Sequence, residues 1–191
     1  MKKKKDILFY LLFFAFILFI NTPYGLGTRV FLTKGVTAIK TAIFPPKETG
    51  DRIRLSSNKW VLNGLYNATN LNLESLEGEV VFINHWATWC PPCRAEMPSL
   101  AKLYSDYNDR VSFLFITNES VKEVEPYLSA NNYNFPTYNP GSAIPKEINS
   151  SSLPATFILD KSGRVALQEF GAADWNSGSV RNLLDTLLEE E

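Results

Sequence analysis

Two cysteines separated by two prolines, at the end of an apolar run and the start of an amphipathic one, constrain this chain more than any other feature. Glu79 to Trp86, built around Val80, Val81, Phe82 and Ile83, has the unbroken pattern of a central strand buried on both faces. Arg94 to Tyr107 then places Leu100, Leu103, Tyr104 and Tyr107 at helical spacing, with Pro98 inside the helix and a kink expected there. Cys90-Pro91-Pro92-Cys93 therefore falls at a strand-to-helix junction. These are the only 2 cysteines, and the loop they would close is too short to constrain an unfolded chain much, so their pairing is expected to be chemical. The plainer alternatives are a structural disulfide or half of a zinc site, although two Cys and a single His leave a tetrahedral ion short of a ligand.

A thiol attacks a disulfide as thiolate, and a helix N-terminus stabilises that anion through unpaired N–H groups and the positive end of the helix dipole. That places the nucleophile at Cys90, just ahead of the helix. Cys93 lies one turn on, within the helix and more buried, where it can attack a mixed disulfide and release the product. Pro91 and Pro92 lack N–H groups and cationic side chains, so the Cys90 thiolate is expected to be moderately favoured, which points to a reductant. His85, the only histidine, faces away from Asn84 and Trp86 on the strand and reads as a satisfied buried side chain in preference to a catalytic base.

The N-terminus reads as an address. Lys2 to Lys5 precede Ile7 to Ile20, an uncharged apolar run of about fourteen residues, and Asn21-Thr22-Pro23 ends it. The positive-inside rule leaves the lysines in the cytoplasm and carries the rest across the membrane. An uncleaved single-pass anchor is expected, with a cleaved signal ending near Gly25-Leu26-Gly27 as the alternative and a buried core helix as the bland one. Between Arg29 and Phe44, Phe31, Val36, Ile39 and Ile43 fall near one helical face, with Arg29, Lys34 and Lys40 available to lipid head groups; a simple tether fits as well. No other basic run exists and the net charge is −1, so nucleic-acid binding is disfavoured.

With 45% hydrophobic residues in 191, the chain can core one domain. The expected organisation is 1–27, lysine run and transmembrane anchor or signal segment; 28–56, membrane-proximal linker or amphipathic helix; and 57–191, the folded domain. Phe44-Pro45-Pro46 to Gly50 is a stiff breaker, after which the domain begins between Asp51 and Trp60. Strands are predicted over Trp60–Leu65, Val111–Thr117, Pro154–Asp160 and Arg164–Phe170, the last two as a hairpin, with helices over Val121–Ala130 and Val180–Leu188. Phe135 to Ser152, interrupted by Pro136, Pro140 and Pro145, carries no firm prediction.

The stretch Val80-Val81-Phe82-Ile83-Asn84-His85-Trp86-Ala87-Thr88-Trp89-Cys90-Pro91-Pro92-Cys93-Arg94-Ala95-Glu96-Met97-Pro98 resembles the TlpA/ResA-like branch of the thioredoxin superfamily. Leu153-Pro154-Ala155-Thr156-Phe157-Ile158-Leu159-Asp160, with Gly163 and Gly171 following, is similar to that family's cis-proline strand and hairpin. The resemblance covers Trp60 to the C-terminus. It implies an α/β thioredoxin-like fold, a central mixed β-sheet of four to five strands flanked by helices, here with an N-terminal membrane anchor. It also implies a redox-active disulfide between Cys90 and Cys93, with no bound cofactor and no metal.

Family relatives act as extracytoplasmic, periplasmic-side thiol reductants, often in cytochrome c maturation. The resemblance therefore implies three partners: disulfide-bearing exported proteins as substrates, a membrane thiol-reductase as electron donor, and the lipid bilayer. Substrate contacts would fall on Trp89, Pro91, Leu153 and the cis-proline Pro154, with Trp86 as core. Thioredoxins proper carry a buried Asp where this chain has Asn84, which cannot take a proton. In the ResA-like branch that task belongs to a Glu three residues past the second cysteine, the position of Glu96; dipole complementation in a first helical turn is the other reading of Glu96. A disulfide-inserting oxidant and a thioredoxin-fold metal chaperone are the alternatives; the latter wants wider cysteine spacing and a distant histidine. A peroxidase is weaker still, since the cysteines are one turn apart and no separate peroxidatic motif is present.

Overall fold

A computed structural model describes residues 2–190; Met1 and Glu191, the outer limits of the 1–27 and 57–191 segments, lie outside it. The N-terminal part is two helices, α1 (Lys2–Ile20) and α2 (Leu26–Ile43), joined by a short 3₁₀ turn at Pro23–Gly25. After the proline-broken stretch, an α/β domain follows in the order β1 (Ile53–Arg54), β2 (Val61–Tyr66), β3 (Leu71–Asn72), β4 (Val80–His85), α3 (Pro91–Tyr107), β5 (Val111–Ile116), α4 (Val121–Ala130), β6 (Thr137–Pro140), β7 (Ala155–Leu159), β8 (Arg164–Phe170) and α5 (Gly178–Glu189).

The strands form one mixed sheet of 8, ordered β1-β8-β7-β4-β5-β6-β2-β3. β4 lies at its middle, parallel to β5 and antiparallel to β7. Every β4 residue is buried, as its apolar run predicts for a strand covered on both faces. Phe82 faces a core with Trp86, Leu100, Phe115 and Trp175, while Ile83 faces a second core with Trp60, Leu62, Leu114 and Phe157. Burial of each such side chain is worth roughly 1.5–3 kcal/mol, enough for these two layers to fix the register.

Several expectations are corrected. The sheet is larger than the four to five strands implied, because the unassigned region 135–152 supplies β6 and two-residue strands close both edges. β6 was hidden by Pro136, which precedes it, and Pro140, its last residue, which break any alternating pattern. α3 begins at Pro91, three residues earlier than Arg94, because proline suits the first helical turn, where no N–H partner is needed.

In the N-terminal part α1 takes in the lysine run. No helix among the described residues is long and apolar enough to cross a membrane. The uncharged part of α1 would span about 21 Å at 1.5 Å per residue, short of the roughly 30 Å hydrocarbon core. Its apolar side chains are exposed around the helix, among them Ile7, Phe9, Leu12 and Leu18. α2 is a helix packed against α3. It buries Thr37 and Thr41 and turns Val36, Ile39 and Ile43 outward.

Candidate active site

The turn between β4 and α3 is pinned before it reaches the cysteines. Trp86 N–H donates to the Ile116 carbonyl (2.9 Å) and Cys90 N–H to that of Ala87 (3.2 Å). Glu119, from the β5–α4 loop, accepts the Thr88 N–H (2.6 Å) and hydroxyl (2.5 Å). Sequence reasoning missed this clamp, since nothing in the spacing of Thr88 and Glu119 marks them as partners. Trp86 is core and Trp89 is 65% exposed beside the cysteines.

Cys90 and Cys93 are joined as a disulfide. Cys90 is the N-cap of α3, and the Cys93 N–H points at its sulfur (3.2 Å). With Pro91 and Pro92 in the first two helical positions, this is the first N–H the helix can offer. Arg94 sends its guanidinium sideways over the Tyr127 ring (4.9 Å). Both cysteines are buried in the disulfide, Cys90 at 3% exposed and Cys93 at 0%. The Cys90 sulfur is taken up in the bond to Cys93, and both residues belong to the main core.

The Leu153–Pro154 peptide is cis. β7 pairs with β4 only from Ala155 onward, so Leu153 lies beyond the ladder at the sheet's end. Trp89 and Leu153 line a shared cavity of about 140 Å³, with His85, Glu119 and Ile144 in its walls.

Glu96 lies one turn beyond Cys93 and is 1% exposed. One carboxylate oxygen accepts from Asn84 Nδ2 (2.9 Å); the other accepts from Trp175 Nε1 (2.8 Å) and the Ala173 N–H (3.3 Å). Burial raises its pKa to about 7, against the opposing pull of those three donors and of the Lys40 charge. Asn84 Nδ2 also donates to Thr156 Oγ1 (2.8 Å), so β4, β7, α3 and the 171–177 loop converge here. Trp175 and Ala173 carried no sequence signal, because they lie in a loop without periodicity. His85 is buried with its pKa lowered to about 4 by desolvation, against a hydrogen bond to the Ile148 backbone. Its Nε2 has no partner among the described residues, so "satisfied" holds for one ring nitrogen only.

The residues predicted from sequence therefore fall into two groups: Cys90, Cys93, Trp89, Pro91, Leu153 and Pro154 at the sheet's end, and Glu96 beneath them. Among the described residues no cluster of three or more His, Cys, Asp or Glu could hold a metal ion.

Comparison with known proteins places the chain in a family and a fold. The AhpC/TSA family profile matches residues 58–168, more than half the chain. Thioredoxin-like protein YneN of Bacillus subtilis is 34% identical over 96 residues, 48% of this chain and 56% of that protein. The chain thus spans little more than half the length of that relative. Thiol-disulfide oxidoreductase ResA of Bacillus subtilis is 30% identical over 154 residues, 78% of this chain and 82% of that one. Among solved structures, a thiol:disulfide interchange protein DsbE from Chlorobium tepidum superposes with a TM-score of 0.61 at 20% identity, covering 73% of this chain and 99% of its own. At that identity the likeness establishes the fold.

Proposed function

The chain belongs to the AhpC/TSA family of thioredoxin-like proteins, and on that premise we propose that it is an extracytoplasmic thiol-disulfide oxidoreductase that reduces disulfides of exported proteins. The observation that carries this reading is the Cys90–Cys93 pair at the start of α3, with Cys90 as N-cap and a cis-proline strand end beside it. Relatives bearing the name thiol-disulfide oxidoreductase support it.

In the reduced protein the Cys90 thiolate, held by the Cys93 N–H, attacks one sulfur of a substrate disulfide lying between Trp89 and Leu153–Pro154. The substrate's other sulfur leaves as thiolate and takes a proton. Glu96, whose pKa near 7 lets it accept a proton at neutral pH, takes the Cys93 proton. The Cys93 thiolate then attacks Cys90 of the mixed disulfide and expels the second substrate thiolate. One substrate disulfide becomes two thiols, and the enzyme's dithiol becomes the Cys90–Cys93 disulfide. A membrane thiol-reductase donor returns two electrons and two protons for the next cycle. A role in cytochrome c maturation follows the family resemblance.

The bilayer contact is part of the same reading. α1 presents apolar residues all round, and the outward side of α2 continues that surface with Val36, Ile39 and Ile43. Together they hold the domain at the membrane on its extracytoplasmic side. A reporter fused to the C-terminus is expected to be active only outside the cytoplasm, with the chain retained in membranes after high-salt washing; a soluble product starting near Thr28 would instead mark a cleaved signal.

Direction is tested by the reduction potential of the purified protein equilibrated with glutathione buffers. A helix N-terminus with one available N–H and no cation aimed at the sulfur predicts a potential near that of thioredoxin, about −270 mV; a value above roughly −180 mV would assign disulfide insertion instead.

A further inference from the structure

We propose that α2 is a positioning element for the buried acid, with Thr41 as the residue that holds the Glu96-binding loop in place. This rests on the acid/base reading of Glu96 given above and adds to it a control that lies outside the thioredoxin-like domain.

A surface helix ordinarily turns its apolar stripe to the protein and its polar face to solvent. α2 does the reverse: Thr37 and Thr41 are buried, 8% and 7% exposed, while Val36, Ile39 and Ile43 are all more than 60% exposed. Apolar burial therefore supplies little of its docking, and specific polar contacts must hold it. Those contacts converge on the loop that holds Glu96. Successive residues of the loop alternate between partners: Ala173 N–H donates to Glu96 (3.3 Å), Asp174 N–H to Thr41 Oγ1 (2.9 Å), Trp175 N–H to Ser99 Oγ (3.2 Å) and Trp175 Nε1 to Glu96 (2.8 Å). The α2 contact is thus the middle stitch between the two donors to the carboxylate. The residue before Thr41, Lys40, pairs with Glu169 on β8, just ahead of Gly171, whose φ of 82° lets the chain turn into the loop.

Lys40 also acts on Glu96 through its charge, while Asn84 from β4 and Trp175 and Ala173 from the loop hold the carboxylate as neutral donors. Asp174 turns its carboxylate to the Asn176 N–H (3.1 Å). Loss of the Thr41 acceptor frees the Asp174 N–H, and the loop relaxes about it. Ala173 and Trp175 then hold the carboxylate less well, so the protonated form gains ground and Cys93 is deprotonated only at higher pH. Movement of α2, the helix nearest the apolar α1, would reach the active site by this route.

The test uses the full chain and follows, by rapid quench, the release step after attack on a fluorescent disulfide peptide, as a function of pH. Thr41→Val keeps the side chain's shape and removes the acceptor; Thr41→Ser restores it. The wild-type release rate should inflect near pH 7. Thr41→Val should raise that inflection by about half a unit and slow release at pH 7 about twofold, with Thr41→Ser back at the wild-type value. Lys40→Gln should raise the inflection independently, and it decides the matter if Thr41→Val does not fold. Unchanged inflections in Thr41→Val and Lys40→Gln would overturn the positioning role while leaving Glu96 in place. An inflection that survives in Glu96→Gln would overturn the acid/base reading itself, and the positioning role with it.

Discussion

Asn84 and His85 are neighbours on β4 whose side chains point to opposite faces of the sheet, and each face holds one buried titratable group near the cysteines. On the Asn84 face, Glu96 is neutralised by burial, yet three donors and a lysine draw its pKa back to about 7. On the other face, His85 is lowered to about 4 by burial with a single backbone hydrogen bond against it, and is wedged between the Trp60 and Phe157 rings (6.3 and 5.9 Å between centroids). Desolvation dominates both. The difference lies in the partners: convergent donors leave Glu96 able to gain or lose a proton at neutral pH, whereas His85 stays uncharged and packs.

Stability against pH gives the largest contrast. The folded-state pKa of Glu96, about 7, exceeds its ordinary 4.5, so between those values the folded state binds more protons than the unfolded one. Stability from this group is therefore full below pH 4.5 and is lost as pH rises to 7, in total about 3 kcal/mol. His85 runs the other way, gaining stability as pH rises from about 4 to 6.5. Because His85 is common to both proteins, the informative quantity is the difference between wild type and Glu96→Gln in urea unfolding. The variant should gain on wild type across pH 4.5 to 7; a difference that is flat with pH would erase the contrast between the two faces.

Turnover comes next. Glu96→Gln should slow disulfide-peptide reduction about a hundredfold at pH 7.5, the usual scale for a lost acid/base group, with the block at the release step. A loss below threefold would make Glu96 a structural acid. The smallest effect belongs to His85→Phe. It keeps a flat ring between Trp60 and Phe157 and removes an unpartnered buried nitrogen, so turnover should stay within about twofold and stability within about 1 kcal/mol. A tenfold loss of turnover would move His85 into the catalytic apparatus.

What could be read from the sequence follows from where the physics is local. The β4 strand, the helix after the cysteines and the β7–β8 hairpin were legible because apolar runs, proline placement and the Asp160-Lys161-Ser162-Gly163 turn act over a few residues. β6 was not, since prolines mask a strand that exists only by pairing with β5 and β2. At the site, Cys90 and Cys93 were named by their spacing and junction, and Pro154 and Glu96 by the family resemblance. Its donors were invisible: Trp175 lies 79 residues away in sequence and meets Glu96 only through the fold. For α2 the sequence left an amphipathic helix and a simple tether both open, and periodicity could not tell that Thr37 and Thr41 would face the protein.

In the proposed cycle Cys90 attacks and Cys93 releases, and trapping in living cells separates the two roles. Full-length Cys93→Ser and Cys90→Ser variants are expressed, thiols are quenched with acid, and mixed disulfides are counted by diagonal gels, non-reducing then reducing. Cys93→Ser should accumulate mixed disulfides with exported proteins, because attack proceeds and release does not, while Cys90→Ser should hold almost none. Accumulation on Cys90→Ser instead would reverse the two roles, and accumulation on neither would contradict disulfide exchange as the activity of this chain.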